Sequence, residues 1–311
     1  MIGQCAKPNR SAGGPAGFTL VELLVVIMVI TILAGIVLGG IGMARDAARQ
    51  AKTEALIAKL HPVIMQKYES YATYRVPIDT TGLPARTAAE LRLKALRIIM
   101  KYEMPDRWED VLDTDPSQLS DIEVSASLPG GGTVTRKMKY PALSYVYAAY
   151  KQSHEVLGEF SPAECLYMIV AVGDPEAMEN FRQNEIGNAD DKSGDTFPEF
   201  LDGWGRPIMF LRWAPGFSSE FGGLSEIQTG NPQVDHDPFD PQGLQPDAFH
   251  LIPLIYSGGA DQKYDIDLAP DARDLSPTEA PYVSQLGQPA DDPNDADGEL
   301  NHADNVHNHA M

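Results

Sequence analysis

The sequence predicts an α+β protein: a long N-terminal transmembrane helix packed on a small antiparallel sheet, with extra helices and a disordered acidic tail. Three observations predict it. Leu23 to Gly42 are 20 consecutive residues without a charge, mostly Leu, Ile and Val, long enough to cross a bilayer core as a helix. Ile57, Leu60, Ile64, Tyr68 and Tyr71 then recur at spacings of three and four, which marks one apolar helical face. Pro207 to Trp213 and His250 to Tyr256 are short apolar runs next to Gly turns, the pattern of strands.

In chain order, residues 1–17 are polar, carry Lys7 and Arg10 without an acid, and read as a leader. Residues 18–42 form the membrane segment, and residues 43–74 continue it as an Ala-rich, charged half of the same helix. A helix from Phe18 to Tyr74 would extend about 85 Å at 1.5 Å per residue, with a kink at Pro62. A head spans 75–268. Its loop from Arg75 to Ala85 leads into a helix capped by Thr87 and Glu90 that ends before Pro105. Short helices follow over Ser161 to Val172 and Pro175 to Phe181. Gly130 to Gly132 read as a hairpin or surface turn. From Asp261 onward there are 12 acidic residues against Lys263 and Arg273, so the tail over 269–311 is expected to be mostly disordered.

The formal net charge is −20, which would repel phosphate backbones, and no nucleic-acid partner is expected. Only Cys5 and Cys165 occur, and Cys5 lies in the leader, so its removal leaves one thiol and no internal disulfide. No Gly-x-Ser-x-Gly, Walker loop, paired-Cys motif or His-Glu-x-x-His is present, and no enzymatic activity is expected. His302, His307 and His309 could ligate a transition metal, although a flexible tail is the favoured reading. Trp108, Trp204 and Trp213 read as core residues.

Glu22 stands at the edge of the uncharged run with no basic residue near it until Arg45. An acid at a membrane segment costs roughly 2.5–3.5 kcal/mol at mid-bilayer and is a functional-site hypothesis by default. A cut between Gly17 and Phe18 would create an amine four residues away, on the same or a neighbouring chain.

The run Gly17, Phe18, Thr19, Leu20, Val21, Glu22 resembles the processing site of type IV prepilins and type II secretion pseudopilins. The resemblance covers about the first 55 residues. It implies that prepilin peptidase cuts between Gly17 and Phe18 and methylates the Phe18 amine, and that Glu22 guides assembly. It also implies other pilin or pseudopilin subunits and an inner-membrane assembly platform as partners, with 18–42 as a filament-core helix. Basic residues in the leader place the head outside the cytoplasm, in the periplasm, on a single-pass inner-membrane anchor.

Two stretches of the head extend the likeness. Asp202, Gly203, Trp204, Gly205, Arg206 and Pro207 are similar to the family's Asp-Pro-Trp-Gly-x-Pro turn, with Gly203 in place of Pro. Tyr256 to Asp261 are similar to the Ser-x-Gly-Ala-Asp-Gly stretch of the major pseudopilin, with Gln262 in place of the last Gly. That likeness implies calcium on Asp261, Asp265 and Asp267; a solvated acidic loop is the alternative. A second acidic group, Asp190, Asp191, Ser193 and Asp195, reads as a solvated loop. The expected function is a structural subunit of a type II secretion pseudopilus or type IV pilus-like filament. The alternative is a filament-tip or membrane-anchored binding module that captures a secreted substrate or surface ligand.

Overall fold

A computed structural model describes residues 18–154, 160–189, 197–213, 236–245, 250–264, 266 and 305–310. The side chains of residues 36–40 lie outside that description. The first element is a single helix, α1, Leu20–Ser70, followed by a short 3-10 turn at Tyr71–Thr73. Contacts divide the chain inside this helix into one unit up to Ala47 and a second from Ala48 onward.

In the first unit, the apolar side chains from Leu20 to Leu33 are exposed. Thr31, among them, turns its hydroxyl onto the Ile27 carbonyl at 2.7 Å, which satisfies the group within the helix itself. Among the described residues no helix is long and apolar enough to cross a membrane. The expected span from Leu23 to Gly42 includes residues 36–40, whose side chains are not described.

In the second unit α1 becomes amphipathic. Ile57, Leu60, Ile64, Tyr68 and Tyr71, the residues of the predicted face, are all buried, together with Leu56. Pro62 lies inside the helix and does not end it. The apolar residues on either side of it, Leu60 and Ile64, are both in the main core, so packing holds the helical path where a backbone donor is missing.

Around that face stand α2 (Ala85–Glu103), the hairpin of β1 (Ile122–Ser127) and β2 (Thr133–Met138), α3 (Ala142–Gln152), α4 (Ser161–Ala171) and α5 (Pro175–Met178). Then come β3 (Ile186–Gly187), β4 (Glu199–Phe200), β5 (Met209–Leu211), β6 (Leu254–Ser257) and β7 (Val306–His307). The single sheet expected from the sequence is corrected: among the described residues the strands form three separate antiparallel sheets, β1-β2, β3-β4 and β5-β6-β7. Strands this short, separated by long connections, pair with whatever lies adjacent and do not extend one ladder. The Gly-rich turn between β1 and β2 is as expected, with Gly131 and Gly132 both at positive φ.

Two further expectations are corrected. Thr87 and Glu90 do not cap α2, which begins after Pro84. Instead Thr87 donates its hydroxyl to the Ser127 carbonyl at 2.9 Å, and Glu90 accepts from Ser127 N and from Lys94. The pair ties α2 to the end of β1. The second short helix stops at Met178, short of Phe181. Within the span read as the tail, Val306 and His307 pair with Ser257 and Tyr256 of β6, and Val306, His307, Asn308 and His309 are buried. Residues 267–304, which hold most of the predicted tail and His302, lie outside the described residues. Of the three tryptophans, Trp108 is buried, while Trp204 and Trp213 are half-buried.

The C-terminal end of α2 is fastened to β5 by buried charges. Arg212 donates from Nη1 to Asp110 Oδ2 at 3.0 Å and to the Met104 carbonyl at 2.8 Å, and its backbone N–H reaches Asp106 at 3.2 Å. Lys101 and Arg107 also approach Asp110, at 3.2 and 3.4 Å. Burial raises the pKa of Asp110, but the charges of Arg212, Lys101 and Arg107 outweigh it and bring the carboxyl down to about 2. Beside them lies Cys165 on α4, fully buried, its thiol pushed up by burial and by the carboxylates of Asp106, Asp110 and Glu164.

A folded-state pKa below the unfolded value means that Asp110 stabilises the head above the unfolded pKa of about 4, and that this contribution is lost as pH falls towards about 2. Urea unfolding across that window should show the loss. At neutral pH, Arg212→Ala should be destabilised by about 3–5 kcal/mol, because two buried carboxylates lose their main counter-charge.

Candidate functional site

The N-terminal segment begins at Phe18, which is 82% exposed. Gly17 and the rest of the leader lie outside the described residues. Thr19 starts α1 as a reciprocal cap. Its hydroxyl accepts from Glu22 N at 3.2 Å, while Glu22 Oε2 accepts from Thr19 N at 2.9 Å and from the Thr19 hydroxyl at 2.8 Å. This cap was not foreseen, because only a charged partner was considered for Glu22. The signal was present as Thr-x-x-Glu before an apolar run. A cut before Phe18 leaves Thr19 with an ordinary amide, so the cap is retained after cleavage. Among the described residues Glu22 Oε1 takes no hydrogen bond, and an ionised carboxylate has room for more than the two that Oε2 accepts.

The second site lies in the head, where the two family-like stretches meet. Asp202 is buried, and its Oδ1 accepts from Trp204 N at 2.8 Å and Arg206 N at 2.9 Å, which closes the turn on itself. Its Oδ2 accepts from the Ser257 hydroxyl at 2.6 Å, joining positions 55 residues apart. The same turn is fixed to α1. Gly203 N donates to Thr53 Oγ1 at 2.9 Å, Lys52 Nζ donates to the Asp202 carbonyl at 3.0 Å, and Thr53 donates to the Arg49 carbonyl at 3.0 Å. A Cβ at Gly203 would stand 2.1 Å from the Arg49 carbonyl oxygen, closer than any real contact. This explains Gly203 where the likeness has Pro: a Pro here would bring a side chain into α1 and remove the N–H that Thr53 accepts. Sequence reasoning missed Arg49, Lys52 and Thr53, because their partners lie about 150 positions away.

Beyond Ser257 the chain turns sharply. A Cβ on Gly258 would meet the Lys263 carbonyl at 2.5 Å, and Gln262 adopts φ 64°, the left-handed conformation that Gly, the residue at this point of the likeness, adopts freely. Asp261 is exposed, and its Oδ1 accepts from Lys263 N at 2.8 Å. Asp265 and Asp267 lie outside the described residues, as do Asp190, Asp191, Ser193 and Asp195. Among the described residues no three His, Cys, Asp or Glu side chains gather as a metal site. Asp261 is therefore the one described member of the implied calcium set, and no step is derived through the ion.

Residues 15–38 match the family model described as the prokaryotic N-terminal methylation motif. No curated protein and no solved structure matches the chain. The motif supports a processed subunit of the type IV pilin kind, and it implies cleavage by prepilin peptidase and assembly with pilin subunits.

The clamp between the turn and α1 gives a direct test. Thr53→Val should destabilise the head by about 1–3 kcal/mol through the orphaned Gly203 N–H, and Gly203→Ala should cost more, because backbone must move. Amide exchange at Gly203 and urea midpoints would check both.

Proposed function

We propose that this chain is a structural subunit of a type II secretion pseudopilus or type IV pilus-like filament, inserted in the inner membrane, cut between Gly17 and Phe18, methylated on Phe18 and then assembled through α1. The observation that carries this reading is the apolar surface of α1 from Leu20 to Leu33, exposed in the single chain and lying within the matched methylation motif, residues 15–38. An uncovered apolar surface of that kind needs lipid or neighbouring helices. Lipid covers it before assembly, and sister helices cover it afterwards.

Glu22 then has two tasks. One carboxylate oxygen holds the first turn of α1 through Thr19, and the other takes a charge from outside the helix. The Phe18 amine of a neighbouring subunit is that charge. Pairing neutralises both groups as they enter an apolar core, where either alone would be costly.

Mass spectrometry of the native protein should find a chain that starts at Phe18 and carries one added methyl group. A start elsewhere removes the basis of the reading. Glu22→Gln keeps an acceptor for the cap and deletes the charge. It should be cleaved normally and yield far fewer filaments; a normal filament yield would show that the cap alone is sufficient.

A second reading, a binding module at a filament tip, is favoured by a groove of about 560 Å³ in the head, with Tyr71, Tyr74, Arg75, Arg92 and Phe239 in its lining. Aromatic faces beside two guanidinium groups, balanced by Asp79 and Asp240, suit an extended polypeptide of mixed charge.

A further inference from the structure

Residues 305–310 are fastened to the head by an amide that fits one protonation state of its neighbour. Val306 and His307 pair with Ser257 and Tyr256 of β6, and Val306 packs in the main core with Ile255 and Phe210. Beside them Asn308 is buried. Its Oδ1 accepts from Ile255 N at 2.7 Å, and its Nδ2 donates to the Pro253 carbonyl at 2.9 Å. One of these partners can only donate and the other can only accept, so the amide cannot be turned over. Its Nδ2 also lies 3.0 Å from Nδ1 of His61, on α1. That ring nitrogen must therefore accept. A neutral imidazole with its proton on Nε2 does so, whereas an imidazolium carries N–H on both nitrogens and sets donor against donor.

The surroundings favour the same state. Burial lowers the pKa of His61, against the charge of Glu69 on the same helix, which raises it. His309 is buried in the segment, with Nε2 at 3.3 Å from the Pro253 carbonyl. Burial and the His307 imidazole push His309 down to about 4, against the Pro253 and Ile252 carbonyls, which favour its cation; His61 adds to the lowering. The titratable groups that meet here are thus His61 and Glu69 from α1 and His307 and His309 from the segment, while the approach to β6 presents carbonyl groups.

We infer that His61 and Asn308 form an acid-released latch: neutral His61 holds residues 305–310 on α1 and β6, and a proton on its Nδ1 opens them. His61 and His309 both titrate lower in the closed segment than the ordinary histidine value of about 6.5. Closure is therefore fully favoured above that pH and is lost as pH falls below it. The opening constant rises by up to about tenfold per pH unit for each histidine, and through His309 alone by about 300-fold between pH 6.5 and pH 4. The latch goes beyond the filament reading, because neither cleavage at Phe18 nor helix assembly enters it. It also opens at higher pH than the loss of the Asp110 charge, whose carboxyl is held down at about 2.

Amide hydrogen exchange on the full chain in detergent micelles, from about pH 7.5 to about pH 5 and corrected for intrinsic rates, tests the latch. Protection of the Ile255 amide should fall by at least about tenfold over that range, while amides in the middle of α2 keep theirs. His61→Gln retains an acceptor for Asn308 and takes no proton, so its fall should be at least about threefold smaller. Constant protection of Ile255 in the natural chain, or an equal fall in His61→Gln, overturns the latch. Should His61→Gln not fold, the titration of the His61 ring in the natural chain, followed by NMR, decides. A midpoint below about 6.5 that coincides with loss of Ile255 protection supports the latch, and protonation of His61 that leaves Ile255 protected overturns it.

Discussion

A buried carboxylate must have its lone pairs filled, and Asp202 fills them from places the chain would otherwise leave unconnected. Two backbone N–H groups of its own turn and the Ser257 hydroxyl converge on it, while its carbonyl takes Lys52 of α1. Because the turn is closed this tightly, Gly203 presents its N–H to Thr53 and its bare Cα to the Arg49 carbonyl. The long helix, the entry to β5 and the exit from β6 are thereby set against one another. Hydrogen bonds to an ionised acceptor are the strong kind, and burial makes their loss costly, so the contact defines position as well as adding stability.

Helix α1 shows how one backbone geometry serves two environments. From Leu23 to Leu33 every residue but Thr31 is apolar, and from Leu56 to Tyr71 the helix is apolar on one side only. The second part meets its own head, through Lys59 to Glu185 at 2.7 Å and Tyr71 to Glu103 at 2.8 Å as well as through the core. The apolar side chains of the first part are exposed. A fold that completes one half of a helix and leaves the other half apolar and exposed depends on lipid or other molecules for the remainder.

What could be read in the sequence was whatever repeats locally. The buried face Ile57, Leu60, Ile64, Tyr68 and Tyr71 follows from helical spacing, and the turn at Gly130–Gly132 from composition. The clamp was half legible: Asp202 and Ser257 stand in recognisable stretches, but nothing in Arg49, Lys52 or Thr53 announces a partner so distant in the chain. Thr87 and Glu90 misled because a side chain three residues from another can cap a helix or grip a neighbouring strand, and only tertiary packing decides. Thr19 and Glu22 misled in the opposite direction, since attention to the charge obscured the cap. The short strand at Val306 and His307 was not legible, because the acidic composition around it gives no sign that Val306 and Asn308 are buried.

Cys165 gives the folded head a built-in indicator. It sits at zero exposure on α4, packed with Trp108, Met168 and Phe197, with its thiol held in the protonated form. Thiolate is the reactive species, so alkylating reagents and oxidants meet an inert group while the core is closed. Cys5 is the only other cysteine of the sequence, so with Cys5→Ser no other sulfhydryl competes. The rate at which a maleimide consumes this thiol then reports the frequency with which α4 lifts away from its neighbours, in a membrane or a filament as readily as in solution.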